Sequence, residues 1–104
     1  MLTVEQITEN LIPTLIKNDI KKAIIFGSYA KKTANSNSDI DLVIDTEITG
    51  FKFFELRSEM ESLLNKNIDL IASFEIIPNS RIDNEIKETG VVIYESWHRT
   101  IEKN

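Results

Sequence analysis

The sequence predicts a small α/β (α+β) domain with a mainly parallel or mixed four-stranded sheet and helices packed against that sheet. Three observations favour this class: apolar residues recur at helical spacing in several segments, short apolar runs typical of strands lie between them, and the two kinds of segment alternate along the chain. The chain has 104 residues, which is enough for one domain. We therefore place a single domain at residues 1–95 and a polar C-terminal tail at residues 96–104.

The first predicted element is a helix over residues 3–17, where apolar residues recur every three or four positions. Thr3 and Gln6 form a capping-box pattern at its start. Pro13 lies inside this pattern and should kink the helix or split it, because proline cannot donate a backbone hydrogen bond.

A short apolar run at residues 23–26 predicts a buried strand that stops at Gly27. Ser28 then suits the N-cap of a brief helical turn that ends near residue 32. About five helical residues are too few for an easy parallel crossover. We therefore expect the first two strands to run antiparallel or to be joined irregularly.

The second half of the chain continues the alternation of strands and helices. The helix after the second strand has the clearest apolar stripe, which includes Phe53, Leu56, Met60 and the pair Leu63 and Leu64. Gly90 is typical of a residue just past a helix end. The predicted elements are a strand at 40–45, a helix at 51–64, a strand at 68–72, a helix from 78–80 to Gly90 and a strand at 91–94.

Composition excludes several classes of function. Acidic residues outnumber basic residues 17 to 12, and this balance argues against a nonspecific nucleic-acid binder, whose affinity comes from Lys and Arg on phosphates. The sequence has no Cys, which excludes disulfides, thiol nucleophiles and thiolate metal sites. No apolar run approaches the ~20 residues of a membrane span, and the first residues lack the pattern of a signal peptide. We expect a cytoplasmic protein without a membrane partner.

Three aspartates stand in or beside predicted strands. Asp39 and Asp41 are two residues apart, so their carboxylates should point to the same side of one strand, about 7 Å apart. Asp69 lies among apolar residues of another strand. Carboxylates gathered on one face repel one another unless their pKa values rise or a divalent cation binds, and Mg²⁺ suits an all-oxygen site. The alternatives are a solvated strand edge for Asp39 and Asp41, and a structural or surface role for Asp69.

Gly27 and Ser28 directly follow a strand and open a helical turn. Glycine allows close backbone approach, and free N–H groups at a helix start can bind an anion. Ser28 could instead serve only as an N-cap. A phosphate cradle beside metal-binding carboxylates would suit phosphoryl or nucleotidyl transfer.

These residues together carry a resemblance to a known family. Gly27-Ser28, ten intervening residues and then Asp39-Ile40-Asp41 resemble the nucleotidyltransferase signature of the DNA polymerase β superfamily. The surrounding stretch is similar to its minimal nucleotidyltransferase (MNT) branch, which includes antitoxins paired with HEPN-domain toxins. The resemblance covers nearly the whole chain, including Asp69 in a later strand and the closing strand.

The resemblance implies a polymerase β-like fold and a set of catalytic residues on one sheet face. Asp39 and Asp41 would ligate both of two Mg²⁺ ions, and Asp69 would join the metal ion that activates the acceptor. Gly27, Ser28 and Lys31 would hold the triphosphate of ATP.

The sequence departs from the family pattern at one place, because Lys31 and Lys32 stand where many members have Arg and Gly. Lys31 keeps a positive charge near the phosphates but loses the two-pronged hydrogen bonding of arginine. Lys32 replaces a glycine, so the turn after the short helix could differ. Neither change removes a predicted metal ligand.

The resemblance also implies a function. The chain would transfer AMP from ATP to a Tyr of a cognate HEPN-domain toxin and so act as its antitoxin, as an oligomer or a hetero-oligomer. The alternatives are a non-catalytic binding module that neutralises its partner by occlusion, and a small-molecule nucleotidyltransferase of the aminoglycoside type. Relatives of the last kind carry additional acceptor-binding structure.

Overall fold

A computed structural model describes residues 1–96 and confirms the predicted order of elements. Residues 97–104, which hold most of the predicted tail, lie outside the described residues. Among residues 1–96, no helix is long and apolar enough to cross a membrane. The elements are α1 (Val4–Lys17), β1 (Lys22–Phe26), α2 (Gly27–Lys31), β2 (Ile40–Asp45), α3 (Phe51–Leu64), β3 (Ile68–Ala72), a 3₁₀ turn (Ser73–Glu75), α4 (Arg81–Thr89) and β4 (Val91–Glu95).

The four strands form one mixed sheet in the order β3-β2-β1-β4. β1 pairs antiparallel with both β2 and β4, whereas β2 and β3 run parallel. The connections explain this mixture. α2 has 5 residues and cannot carry the chain across the sheet, whereas α3 has 14 residues and joins the two parallel strands.

One face of the sheet, here called the inner face, packs against α1 and α3 and forms the main core. The two helices also contact each other, because Glu59 on α3 accepts hydrogen bonds from Thr14 at 3.0 Å and from Lys17 at 2.7 Å. The large side chains with no exposed surface are Ile7, Leu11, Leu15, Ile20, Ile25, Ile40, Leu42, Ile44 and Met60.

The other face, here called the outer face, is partly covered by α4. Ile24 of β1, Val43 of β2 and Ile86 of α4 line one cavity on this side. None of the residues of α4 is fully buried, so this helix leaves part of the outer face accessible. The outer face carries Asp41 and Asp69, because these residues alternate with the inner-face residues of β2 and β3.

Three local expectations are corrected by the structure. Pro13 does not split α1, which is one continuous helix; both Pro13 and Glu9 are exposed, so the carbonyl freed by the proline can bond to water. α2 begins at Gly27 rather than after a Ser28 cap, and no side chain caps it. Leu64 is buried as expected, but Leu63 is exposed because it lies off the apolar stripe of α3.

The junction of β1 and α2 depends on a glycine. Gly27 has a φ of +72°, a value that residues with a Cβ atom rarely adopt. A Cβ atom added to Gly27 would overlap Oδ2 of Asp41 and lie 2.9 Å from its Cγ. Gly27 therefore allows both the sharp turn and the close approach of the carboxylate.

Gly50 offers a matched control for a substitution at Gly27. Its φ is +64°, but a Cβ atom added there would meet nothing within 4 Å. We expect Gly50→Ala to lower the free energy of unfolding by about 1–3 kcal/mol through backbone strain alone, because its ψ of −136° lies outside the left-handed helical region. Gly27→Ala should lower it by roughly 2–5 kcal/mol, since the overlap with Asp41 adds to that strain. Urea unfolding measures the free energy of unfolding of both variants. Equal losses of stability would contradict the close approach of Asp41 to Gly27.

Candidate active site

Asp41 and Asp69 form the centre of a carboxylate cluster on the outer face. They are register partners on the parallel strands β2 and β3. The carboxyl of Asp69 raises the pKa of Asp41 through its negative charge and through the hydrogen bond that it accepts when Asp41 is protonated. Asp41 is half-buried, whereas Asp69 is exposed at the edge of the sheet. The structure therefore brings together two of the three predicted aspartates.

The pKa of Asp41 is strongly raised, from 3.8 to about 6. Burial of the carboxyl is the largest cause, followed by the negative charges of Asp69, Glu85 and Asp39. No cation offsets this charge at the Asp41 carboxyl in the hydrogen bonds and ion pairs of residues 1–96. The cluster thus has the electrostatic character of a site that favours a bound cation.

Asp39 lies at the margin of this cluster. It is exposed and immediately precedes β2, and its charge raises the pKa of Asp41 less than that of Glu85 does. Within residues 1–96, no three Asp, Glu, His or Cys side chains are already arranged to hold a metal ion. The full ligand set of Asp39, Asp41 and Asp69 thus stays a prediction.

The predicted phosphate-binding residues lie on α2, next to Asp41. Gly27 is buried and Ser28 is half-buried at the start of this short helix. Lys31 is its last residue, and its Nζ atom lies 3.0 Å from Glu85 Oε1 of α4. The Lys31 side chain is 45% exposed, so it remains accessible to a ligand.

Lys32 shows how the chain accommodates the departure from the family pattern. Its φ is +62°, a left-handed conformation that glycine adopts more easily. The backbone makes this turn with lysine at a cost of about 1–2 kcal/mol.

Glu85 is a residue of the site that sequence reasoning missed. It approaches Asp41 closely enough to raise the pKa of that carboxyl, and it pairs with Lys31. Its position on α4 carries no local signal, because Asp83, Glu85 and Glu88 look alike on a charged helix. Only the placement of α4 over the outer face distinguishes it.

Solved structures share this fold. A crystal structure of a toxin–antitoxin with AMP-PNP superposes with a TM-score of 0.72 at 21% identity, over 91% of this chain and 78% of that chain. The Shewanella oneidensis complex of a tri-AMPylated HEPN toxin with an MNT antitoxin gives 0.66 at 18% identity, over 94% and 77%. At these identities the likeness establishes the fold.

Sequence comparison establishes the family. The putative protein adenylyltransferase MJ0435 of Methanocaldococcus jannaschii is 33% identical over 81% of this chain and 95% of its own length. Protein adenylyltransferase MntA of Thermococcus cleftensis is 34% identical over 68% and 78%. The family described as polymerase beta, nucleotidyltransferase matches residues 9–99. This chain therefore belongs to the polymerase β-type nucleotidyltransferases and is an enzyme of that family.

Proposed function

We propose that this chain transfers AMP from ATP to a tyrosine hydroxyl of a cognate HEPN-domain toxin and thereby acts as its antitoxin. The observation that carries the proposal is the Asp41–Asp69 pair on an accessible sheet face, with Asp41 packed against Gly27. The names of the relatives support adenylyl transfer to protein, and the complex of an AMPylated HEPN toxin supports the partner class.

The side chains of the cluster fit a divalent metal ion. They supply carboxylate oxygens, which Mg²⁺ prefers, and the raised pKa of Asp41 reflects charge that a cation would offset. Asp39, Asp41 and Asp69 would hold two Mg²⁺ ions. When bound there, the ions would supply positive charge that offsets the charge developing on the phosphates during the transfer.

The residues of α2 would hold the triphosphate of ATP beside the carboxylates. The glycine at residue 27 lets a phosphate approach the backbone, and Ser28 offers a hydroxyl and a backbone N–H group. Lys31 would exchange its ion pair with Glu85 for the phosphates. A triphosphate carries more charge than one carboxylate, which favours this exchange.

The proposed transfer is an in-line displacement at the α-phosphorus of ATP. The tyrosine oxygen forms a bond to that phosphorus, the bond to the β-phosphate oxygen breaks, and pyrophosphate leaves. Asp69 is exposed on the β3 side of the cluster, where it can accept the hydroxyl proton. The product is a tyrosine that carries AMP through a phosphodiester bond.

The first prediction concerns adenylyl transfer itself. With Mg²⁺ and labelled ATP, we expect the wild-type chain to label the cognate HEPN-domain toxin. Asp41→Asn should lower the initial rate by about 100-fold or more, because it removes charge that offsets the reacting phosphates and metal. Mass spectrometry of the toxin identifies the labelled residue.

Asp45→Asn is the matched control for this assay. Asp45 is exposed at the far end of the same strand, opposite Lys22. Its substitution should therefore leave the rate of labelling unchanged. Toxin that stays unlabelled while the wild-type chain still neutralises it would support the occlusion alternative. Labelling of an aminoglycoside instead would support the small-molecule alternative.

The second prediction concerns stability without metal. The Asp41 carboxyl has a higher pKa in the folded chain, so its stabilising contribution is complete below about pH 4 and is lost as the pH rises through about 6. Asp41→Asn should therefore be more stable than wild type by about 1–2 kcal/mol at about pH 8, allowing for solvent screening.

Urea unfolding in EDTA at about pH 4 and about pH 8 tests this sign. Most of the advantage of Asp41→Asn should vanish at the lower pH, where the folded wild-type carboxyl is protonated and no longer repels its neighbours. A variant that is less stable than wild type at the higher pH would contradict the proposed repulsion.

The third prediction concerns ligand binding. Mg²⁺ with AMP-PNP should raise the melting temperature of the wild-type chain by about 5 °C or more, because a ligand that binds only the folded state stabilises it. Asp41→Asn should lose most of this shift, and Asp45→Asn should keep it. Differential scanning fluorimetry measures all three proteins, and equal shifts in all three would place the ligand elsewhere.

A further inference from the structure

We infer that an apolar groove on the outer face is the docking surface for the acceptor protein, where it seats apolar side chains that flank the acceptor tyrosine. This inference rests on the proposed function. The groove, here called the acceptor groove, is lined mainly by Ile71, Ile76, Ile77 and Ile82. Nothing in the catalytic chemistry described above uses these residues.

Four of the seven residues that line the acceptor groove are isoleucines. Its volume is about 320 Å³, and Ile77 beside it is 72% exposed. Phe74, in the turn that leads into the groove, is 60% exposed. Exposed apolar residues that cluster beside a concave surface are typical of interaction sites.

Both walls of the acceptor groove lead directly to the carboxylate cluster. On β3, Ile71 is two residues from Asp69, so their side chains share one face about 7 Å apart. On α4, Ile82 is three residues from Glu85 and therefore lies on the same side of the helix. A segment seated in the groove would thus place a neighbouring side chain at the carboxylates.

The strand order separates this groove from the predicted phosphate cradle. α2 continues from β1, Asp41 stands on β2 in the middle, and Asp69 stands on β3 at the edge. In an in-line displacement the acceptor oxygen approaches the α-phosphorus from the side opposite the leaving pyrophosphate. With the triphosphate on the β1 side, the β3 side is left for the acceptor.

The chemistry of the acceptor groove favours apolar side chains over phosphates. Apart from isoleucine, its lining includes Arg81 and Glu75, whose opposite charges leave little net attraction for an anion. The accessible cation near the cluster is instead Lys31, on the α2 side. An apolar segment of a protein therefore fits the groove better than the triphosphate does.

A second exposed apolar pair offers a control surface. Phe51 and Phe54 of α3 stack with ring centroids 6.3 Å apart, and Phe51 is 74% exposed. They belong to the helix that packs on the inner face, so they lie in the layer opposite the carboxylates. Docking there would not bring a tyrosine to Asp69.

The experiment compares the double variant Phe74→Ser/Ile77→Ser with Phe51→Ser. Both change exposed residues, and melting temperatures check that both stay folded. Initial rates of labelling are measured against the concentration of the HEPN-domain toxin and, separately, of ATP. We expect the double variant to raise the KM for toxin about tenfold and to leave the KM for ATP and kcat unchanged. Phe51→Ser should change none of these.

Direct binding separates failure of this inference from failure of the proposed function. The affinity of the toxin is measured by calorimetry in an Asp41→Asn background, which needs no catalysis. Weakening of about tenfold by Phe74→Ser/Ile77→Ser, but not by Phe51→Ser, supports the acceptor groove even if wild type labels nothing. If the double variant binds the toxin with unchanged affinity, the inference is overturned. A higher KM for ATP in the double variant would also overturn it, because that result would assign the groove to the adenine base.

Discussion

The contact between Asp41 and Gly27 is the constraint on which the site depends. Asp41 lies on a central strand, opposite Phe26 in the antiparallel pair, and its carboxylate occupies the space that a side chain at residue 27 would need. The same glycine supplies the positive φ with which α2 leaves the sheet. One backbone position therefore sets both the depth of the carboxylate and the start of the predicted phosphate cradle.

The two faces of the sheet divide the tasks of stability and chemistry. The inner face buries aliphatic side chains such as Ile25 and Leu42 completely against α1 and α3. Burial of this kind is the main favourable term in folding. The outer face is only partly covered by α4 and carries carboxylates that repel one another. The inner core offsets this repulsion, so a small domain can keep an electrostatically strained site accessible to ligands.

The sequence predicted most of the fold because the relevant signals are local. The bounds of β2, α3 and β3 agree with the predicted ranges, since alternation and helical spacing are clear in those segments. The shortness of α2 predicted either antiparallel pairing of β1 and β2 or an irregular connection, and the structure has the antiparallel pair. The misplaced details were also local: Pro13 faces water, where its lost hydrogen bond is tolerated, and Gly27 lets α2 begin without a cap.

The rest of the site depends on contacts between distant parts of the chain. Spacing placed Asp39 and Asp41 on one strand, but only the parallel register makes Asp69 the neighbour of Asp41. The packing of α4 over the outer face brings Glu85 to that pair and places Ile82 in the acceptor groove. Asp41 stands between α2 and β3. A ligand bound on the α2 side and a ligand bound on the β3 side would therefore meet at the Asp41 carboxylate. The strand order alone therefore constrains how a nucleotide and an acceptor can share this small sheet.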